Sequence, residues 1–99
     1  MRPVPPGEIL SEEFLKPIGI TANALAKAIG VPPNRITAIL KGERGITGNT
    51  AIRLATFFDT TPEFWMNLQA CYELRLAEKT IPQKVRKHIE IQREAFVPI

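Results

Sequence analysis

The chain has 99 residues, of which 44% are hydrophobic and 23% charged, which supports one compact core and excludes a disordered chain. A single cysteine, Cys71, excludes an intrachain disulfide, and no apolar run is long enough to span a bilayer. With no apolar leader at its start, the chain is predicted to be cytoplasmic.

The pattern of apolar residues predicts an all-α chain, because no stretch alternates apolar and polar residues as strands do. The first helix is expected from Pro6 to Leu15, since Pro17 disfavours helical geometry at the residue before it. The second covers residues 22–29. Thr21 is its expected N-cap, and Gly30 ends it in a left-handed turn.

The third helix is expected at residues 34–40, opened by Pro32 or Pro33. A loop at 43–49 follows, from which Ile46 is expected to enter the core. Helices four and five are expected at residues 50–58 and at 62 to about 79. The chain therefore divides into a domain at 1–79 and a basic C-terminal extension at 80–99, where Val85, Ile89 and Phe96 have helical spacing.

The spacing of small residues in the second and third helices indicates a helix-turn-helix unit at residues 21–41. Two helices that cross closely need a small residue on the inner face of the first, and Ala26 has that position. Gly30 permits the turn, and Ile36 points inward on the second helix. An unrelated helical hairpin is the alternative. Five basic residues against the single acid Glu43 within 21–53 favour DNA as the partner over a solvated mixed surface.

In such a unit the third helix lies in the DNA major groove and presents its N-terminal half to the base edges. Asn34 can pair with adenine, and Arg35 with guanine or a phosphate. The predicted outward residues are Pro33, Asn34, Arg35, Thr37, Ala38 and Lys41.

Phosphate contacts are predicted at helix N-termini and at basic residues beside the reading helix. These candidates are Thr21 and Asn23 at the second helix, Lys41 and Arg44 after the third, and Asn49 and Thr50 at the fourth. We expect them to set affinity and salt dependence, while base contacts set sequence preference.

The fifth helix carries two apolar stripes, whereas a small core needs one. Phe64, Leu68 and Cys71 form the first, and Trp65, Tyr72 and Leu76 form the second. The second stripe predicts a homodimer, because aromatic residues are enriched in buried interfaces. The predicted interface residues are Trp65, Leu68, Tyr72 and Leu76. The alternative is that the C-terminal extension folds back over both stripes.

Two blocks, Pro6-Gly7-Glu8-Ile9-Leu10 and Pro62-Glu63-Phe64-Trp65-Met66-Asn67-Leu68-Gln69, together with residues 25–31, resemble the HigA family of antitoxins. The resemblance covers about residues 5–79. It implies a five-helix, lambda-repressor-like helix-turn-helix domain that dimerises and binds its own operator as a repressor. It also implies that the chain neutralises a partner toxin that cleaves mRNA on the ribosome.

No cofactor, metal site or enzymatic activity is predicted. His88 is the only histidine, and Cys71 lies on an apolar helix face. Two other functions stay open beside the antitoxin: a stand-alone transcriptional regulator without a toxin, and a helix-turn-helix module that binds proteins.

Overall fold

The computed structural model describes residues 2–96, and all regular structure within them is helical. The all-α prediction is confirmed. Helix α1 covers residues 6–18, and the helices that follow are α2 (Ala22–Ile29), α3 (Pro33–Leu40), α4 (Gly48–Phe58), α5 (Pro62–Thr80) and α6 (Gln83–Phe96). None of these helices is both long and apolar enough to cross a membrane.

The expected count of five helices is wrong, because the extension contains a sixth within the described residues. Pro82 accepts hydrogen bonds from the N–H groups of Val85 and Arg86, and the next 14 residues contain no glycine or proline to end the helix. Residues 97–99 of the predicted extension lie outside the described part. The division at residue 79 stays a prediction.

Helix α1 continues through Pro17, so its predicted end at Leu15 is wrong. It consists of an α-helical turn Pro6–Ile9, a π-helical segment Leu10–Leu15 and a last turn Lys16–Ile18. Proline lacks an N–H, and its ring crowds the carbonyl four residues earlier in an α-helix. The wider π-turn, in which the Lys16 N–H reaches Ser11 five residues back, gives the ring room. Gly19 then ends the helix with a φ of 77°.

The helix-turn-helix packing follows the predicted pattern. The Thr21 hydroxyl accepts the Ala24 N–H at 3.1 Å and caps α2. Gly30 ends α2 with a φ of 76°, which costs glycine little. Ala26 and Ile36 are both fully buried, so the two helices meet through a small residue on one side and a branched residue on the other.

The core is centred on Trp65, which is fully buried among three phenylalanine rings. Its ring centroid lies 4.9 Å from that of Phe14 on α1, 5.0 Å from Phe64 and 6.1 Å from Phe58 on α4. The indole N–H donates to the Thr60 hydroxyl at 2.8 Å, which satisfies the only polar atom of this side chain. The first turns of α5 are thereby fixed against α1 and α4.

The loop between α3 and α4 is anchored by one buried residue. Ile46 is 3% exposed, as the sequence predicted, and its backbone N–H donates to Gln69 Oε1 on α5 at 2.8 Å. A buried backbone donor without a partner would be costly, and Gln69 removes that cost. The loop is therefore held at the base of the reading helix.

Helix α1 also packs tightly against the C-terminal end of the reading helix α3, at Gly7. A Cβ atom added at Gly7 would collide with the carbonyl oxygen of Ile39 and lie 2.9 Å from the Cα atom of Leu40. These are backbone atoms, so they cannot move aside as a flexible side chain can. Gly7 thus allows α1 to approach the backbone of α3 closely.

We predict that Gly7→Ala destabilises the protein by roughly 3 kcal/mol, because overpacking against backbone must displace α1 or α3. Thermal unfolding followed by circular dichroism should show a melting temperature lower by about 10 °C or more. Gly48→Ala is the matched control, since an added Cβ there meets nothing within 4 Å. Equal melting temperatures for the two variants would contradict the close approach.

Candidate nucleic-acid interface

The outer face of α3 presents the residues expected to read DNA. Pro33, Asn34 and Lys41 are exposed, and Thr37 and Ala38 are half-exposed beside them. The Thr37 hydroxyl donates back to the carbonyls of Pro33 and Asn34 at 3.4 and 3.3 Å, which leaves its oxygen free to accept. The face therefore combines one amide, one hydroxyl, one ammonium group and two apolar surfaces.

Arg35 does not extend freely from α3 but turns toward α4. Its Nη1 donates to Asn49 Oδ1 at a long 3.5 Å, and its Nε is buried without a partner among the described residues. A buried guanidinium N–H that lacks an acceptor is costly. The conformation seen here therefore leaves Arg35 with unused hydrogen-bonding capacity next to the reading face.

The side chain of Asn49 accepts hydrogen bonds from two arginines. Its Oδ1 accepts Arg53 Nε at 2.9 Å as well as the longer bond from Arg35. The amide nitrogen Nδ2 has no partner within residues 2–96, and the residue is exposed. The two guanidinium groups thus fix the orientation of the amide and leave its N–H donors available to an anion.

Arg53 was counted in the basic segment but was not predicted as a site residue. Its Nη1 donates to the carbonyl of Ile29 at 2.7 Å and to that of Gly30 at 3.4 Å. These carbonyls end α2, where backbone acceptors lack helical partners. Arg53 therefore joins α4 to the turn of the helix-turn-helix. No signal in the sequence spacing reveals this bond, because 24 residues separate the partners.

The N-terminus of α4 offers backbone donors but not the Thr50 side chain. Thr47 precedes the helix without capping it through its side chain, and the Ala51 N–H is the first to bond back, at 2.8 Å. Thr50 was predicted to contact phosphate, but its side chain is 1% exposed and its hydroxyl accepts the Thr47 hydroxyl. That prediction is wrong for the side chain, and only the backbone N–H of Thr50 remains as a donor for a phosphate.

The other predicted phosphate residues are exposed around the unit. Asn23 and Thr21 lie at the start of α2, where the Thr21 oxygen is already used as the cap. Lys41 and Arg44 follow α3, whose end is turned by Gly42 at a φ of 75°. The exposed basic groups thus lie at the end of the reading helix and in the loop that Ile46 anchors.

The residues predicted to form the dimer interface on α5 are only partly exposed. Trp65 is fully buried in the monomer, so its assignment to a dimer interface is wrong. Helical periodicity did not decide which stripe of α5 faces the core: at the first turn Trp65 is buried, and Phe64 of the other stripe is 37% exposed. Leu68 and Tyr72 are half-buried and Leu76 is exposed, so these three stay predictions.

The geometry is that of a helix-turn-helix protein, and the chain belongs to this family. The helix-turn-helix family model matches residues 12–65, which contain α2, α3 and α4 in full. Within it, the chain belongs with the HigA antitoxins. Antitoxin HigA-1 of Vibrio cholerae is 47% identical over 73 residues, which are 74% of this chain and 69% of that protein.

Other relatives are similar to this chain over most of its length. Virulence-associated protein I of Dichelobacter nodosus is 49% identical over 79 residues, covering 80% of this chain and 73% of that protein. The structure of a HigA-family addiction module antidote protein from Coxiella burnetii has a TM-score of 0.83 and 54% identity, covering 88% of this chain and 95% of that one. Antitoxin GraA in complex with its operator has a TM-score of 0.77 and 47% identity, with coverages of 91% and 88%.

We predict that Arg53→Met lowers the free energy of unfolding by about 1–3 kcal/mol, because two α2 carbonyls and Asn49 lose a charged donor. Urea unfolding followed by tryptophan fluorescence measures this. Arg75→Met is the matched control, since that guanidinium forms an exposed bond to Glu78 worth about 0–1 kcal/mol. A loss no larger than the control's would show that Arg53 does not hold the turn.

Proposed function

We propose that this protein is an antitoxin that represses its own promoter by inserting α3 into the major groove of operator DNA. The observation that carries the proposal is the exposed helix-turn-helix, capped by Thr21, with the exposed Lys41 and Arg44 on its flank against the single carboxylate of Glu43. The operator complex of the related GraA supports it. In this arrangement Asn34, Arg35 and Thr37 are the groups that discriminate base pairs.

Base reading rests on few side chains. Asn34 is exposed in the first turn of α3 and can pair bidentately with adenine. Arg35 has a buried, unpartnered Nε and only a weak bond to Asn49, so little is lost when it turns toward a guanine. Pro33 and Ala38 contribute apolar contact with thymine methyl groups. Two copies of this short face are needed for useful specificity.

Affinity comes from the groups around α3. Asn49 Nδ2 and the free backbone N–H groups lie together at the start of α4 and can donate to a phosphate there. The N-terminus of α2, with Thr21 and Asn23, offers a second, and Lys41 and Arg44 supply charge after α3. These contacts release counterions and make binding depend on salt, while they carry no sequence information.

We predict that Asn34→Ala reduces the preference for the protein's own upstream DNA over a scrambled duplex by roughly tenfold, because one bidentate base contact is lost. Gel shift or fluorescence anisotropy at fixed salt measures the ratio. Asn67→Ala on α5, outside the helix-turn-helix, is the matched control. If α3 does not read bases, both variants keep the wild-type ratio.

Lys41→Ala should weaken binding to both duplexes alike. It should make the slope of log affinity against log salt less steep by about 0.9, the value of one phosphate contact. Lys79→Ala, near the C-terminal end of α5, serves as the control. An unchanged slope for Lys41→Ala would remove this lysine from the phosphate contacts.

The antitoxin part of the proposal requires a toxin of the mRNA-cleaving type and a homodimer that presents two reading helices. The test expresses the reading frame beside this gene. If its expression arrests growth and co-expression of this chain relieves the arrest, the result supports the existence of a partner toxin. Normal growth in that test, together with specific operator binding, would leave a stand-alone regulator. A stable dimer without DNA affinity would identify a protein-binding module.

A further inference from the structure

The half-buried amide of Gln69 connects α5 to the loop between α3 and α4. Its Oε1 accepts the Ile46 N–H at 2.8 Å, although 23 residues separate the two positions. The Ile46 side chain is itself buried in the core, so this one residue of the loop is held by both its side chain and its backbone. The function proposed above gives Gln69 no part in DNA binding.

The part of the loop that precedes this anchor has few bonds of its own. Gly42 and Glu43 still bond back to α3, with N···O distances of 3.1 and 2.9 Å. Within the described residues, the N–H groups of Arg44 and Gly45 donate to no acceptor. A cleft of about 100 Å³ lies between this part of the loop and α5, and Arg44 and Gln69 both line it. The path of the chain at Arg44 therefore depends on the anchor that follows it.

Gly45 makes a second contact with the same amide. A Cβ atom added at Gly45 would lie 2.9 Å from Nε2, 3.0 Å from Cδ and 3.1 Å from Oε1 of Gln69. The backbone of Gly45 thus packs directly against the amide that accepts the Ile46 N–H. Two successive residues of the loop are held by one side chain of α5, the first by packing and the second by a hydrogen bond.

The residue immediately before this pair is Arg44, one of the basic groups that flank the reading helix. Arg44 is exposed and forms no ion pair within residues 2–96. Its guanidinium group is therefore available to a phosphate in the proposed function. Ordering a long side chain on an unanchored loop at the moment of binding costs conformational entropy, and an anchored loop has already met that cost.

We propose that Gln69 is a positioning residue for DNA binding, because its amide holds the loop in the path that brings Arg44 to a phosphate. This inference rests on the proposed function and adds to it a residue that does not itself touch DNA. The effect passes from Gln69 to the backbone of Gly45 and Ile46, and from there to Arg44. Gln69 controls affinity and not base preference, since phosphate contacts carry no sequence information.

The first test replaces Gln69 by methionine, which has a similar length but no strong acceptor. Gln69→Met should raise the dissociation constants for the protein's own upstream DNA and for a scrambled duplex alike by roughly fivefold, the cost of ordering one long side chain. Asn67→Leu is the matched control, since it removes an exposed amide from the same helix and should keep wild-type affinity. Affinity is measured well below the melting temperature of each variant. A lower melting temperature with wild-type affinity would show a merely structural role and overturn the proposal.

A double-mutant cycle with Arg44 tests the route of the effect. Arg44→Ala should weaken binding to both duplexes and make the salt slope less steep by about 0.9, the value of one phosphate contact. Gln69→Met/Arg44→Ala should bind no more weakly than Arg44→Ala, because no guanidinium is left to position. Additive losses, or no loss from Arg44→Ala, would overturn the route through Arg44.

Gly45→Ala is a second variant, which keeps Gln69 and displaces its amide. The atoms that the new methyl group meets are the end of a flexible side chain, and the φ of Gly45 is not left-handed, so the fold tolerates this change. It should raise the dissociation constant for DNA as Gln69→Met does. Wild-type affinity in Gly45→Ala would show that binding does not depend on the position of this amide.

Hydrogen exchange measures the anchor directly. In Gln69→Met, the Ile46 N–H should exchange about tenfold faster or more, because its acceptor is lost, while the N–H groups of α3 keep their wild-type rates. Unchanged exchange at Ile46 would show that the loop is held without Gln69, and faster exchange throughout α3 would show that the reading helix is disturbed instead. Either result would overturn the proposal.

These outcomes separate the inference from the proposed function. A wild-type protein without salt-dependent DNA binding would remove the proposed function, and the role of Gln69 with it. Specific binding by the wild type, together with unchanged affinity in Gln69→Met, would overturn the role of Gln69 alone.

Discussion

The C-terminal end of α2 carries two backbone carbonyls, those of Ile29 and Gly30, that the guanidinium of Arg53 binds from α4. This contact fixes the turn through which α3 is presented. Gly30 supplies the left-handed conformation, and Ala26 supplies the close approach, but neither sets the position of α4. Arg53 joins α4 to this turn, because its guanidinium is a charged donor to both carbonyls.

The same guanidinium also orients Asn49, so structural and DNA-binding roles meet in one small cluster. Asn49 Oδ1 accepts from Arg53 and, weakly, from Arg35. Both bonds are exposed, and the weaker one lies beside the reading face. In the function that we propose, a phosphate at the Asn49 amide and a base at Arg35 would be coupled through this one oxygen atom. This arrangement links the affinity and the specificity that we propose for the protein.

Helix α5 divides its 19 residues between two tasks. Its first turns enter the core through Trp65, and Gln69 holds the loop that follows the reading helix. Its later turns leave the core and carry exposed leucines toward α6. One continuous helix therefore connects the core and the loop after the reading helix to the C-terminal part of the chain.

The sequence by itself determined the all-α class, the helix-turn-helix with Ala26, Gly30 and Ile36, and the core position of Ile46. These depend on local capping, left-handed turns and periodicity, which act over a few residues. Tertiary structure alone decided that Trp65 is core, that Thr50 is buried, that Gly7 touches α3 and that Arg53 binds α2. Each depends on which helices become neighbours, and periodicity identifies the stripes of a helix without saying what covers them.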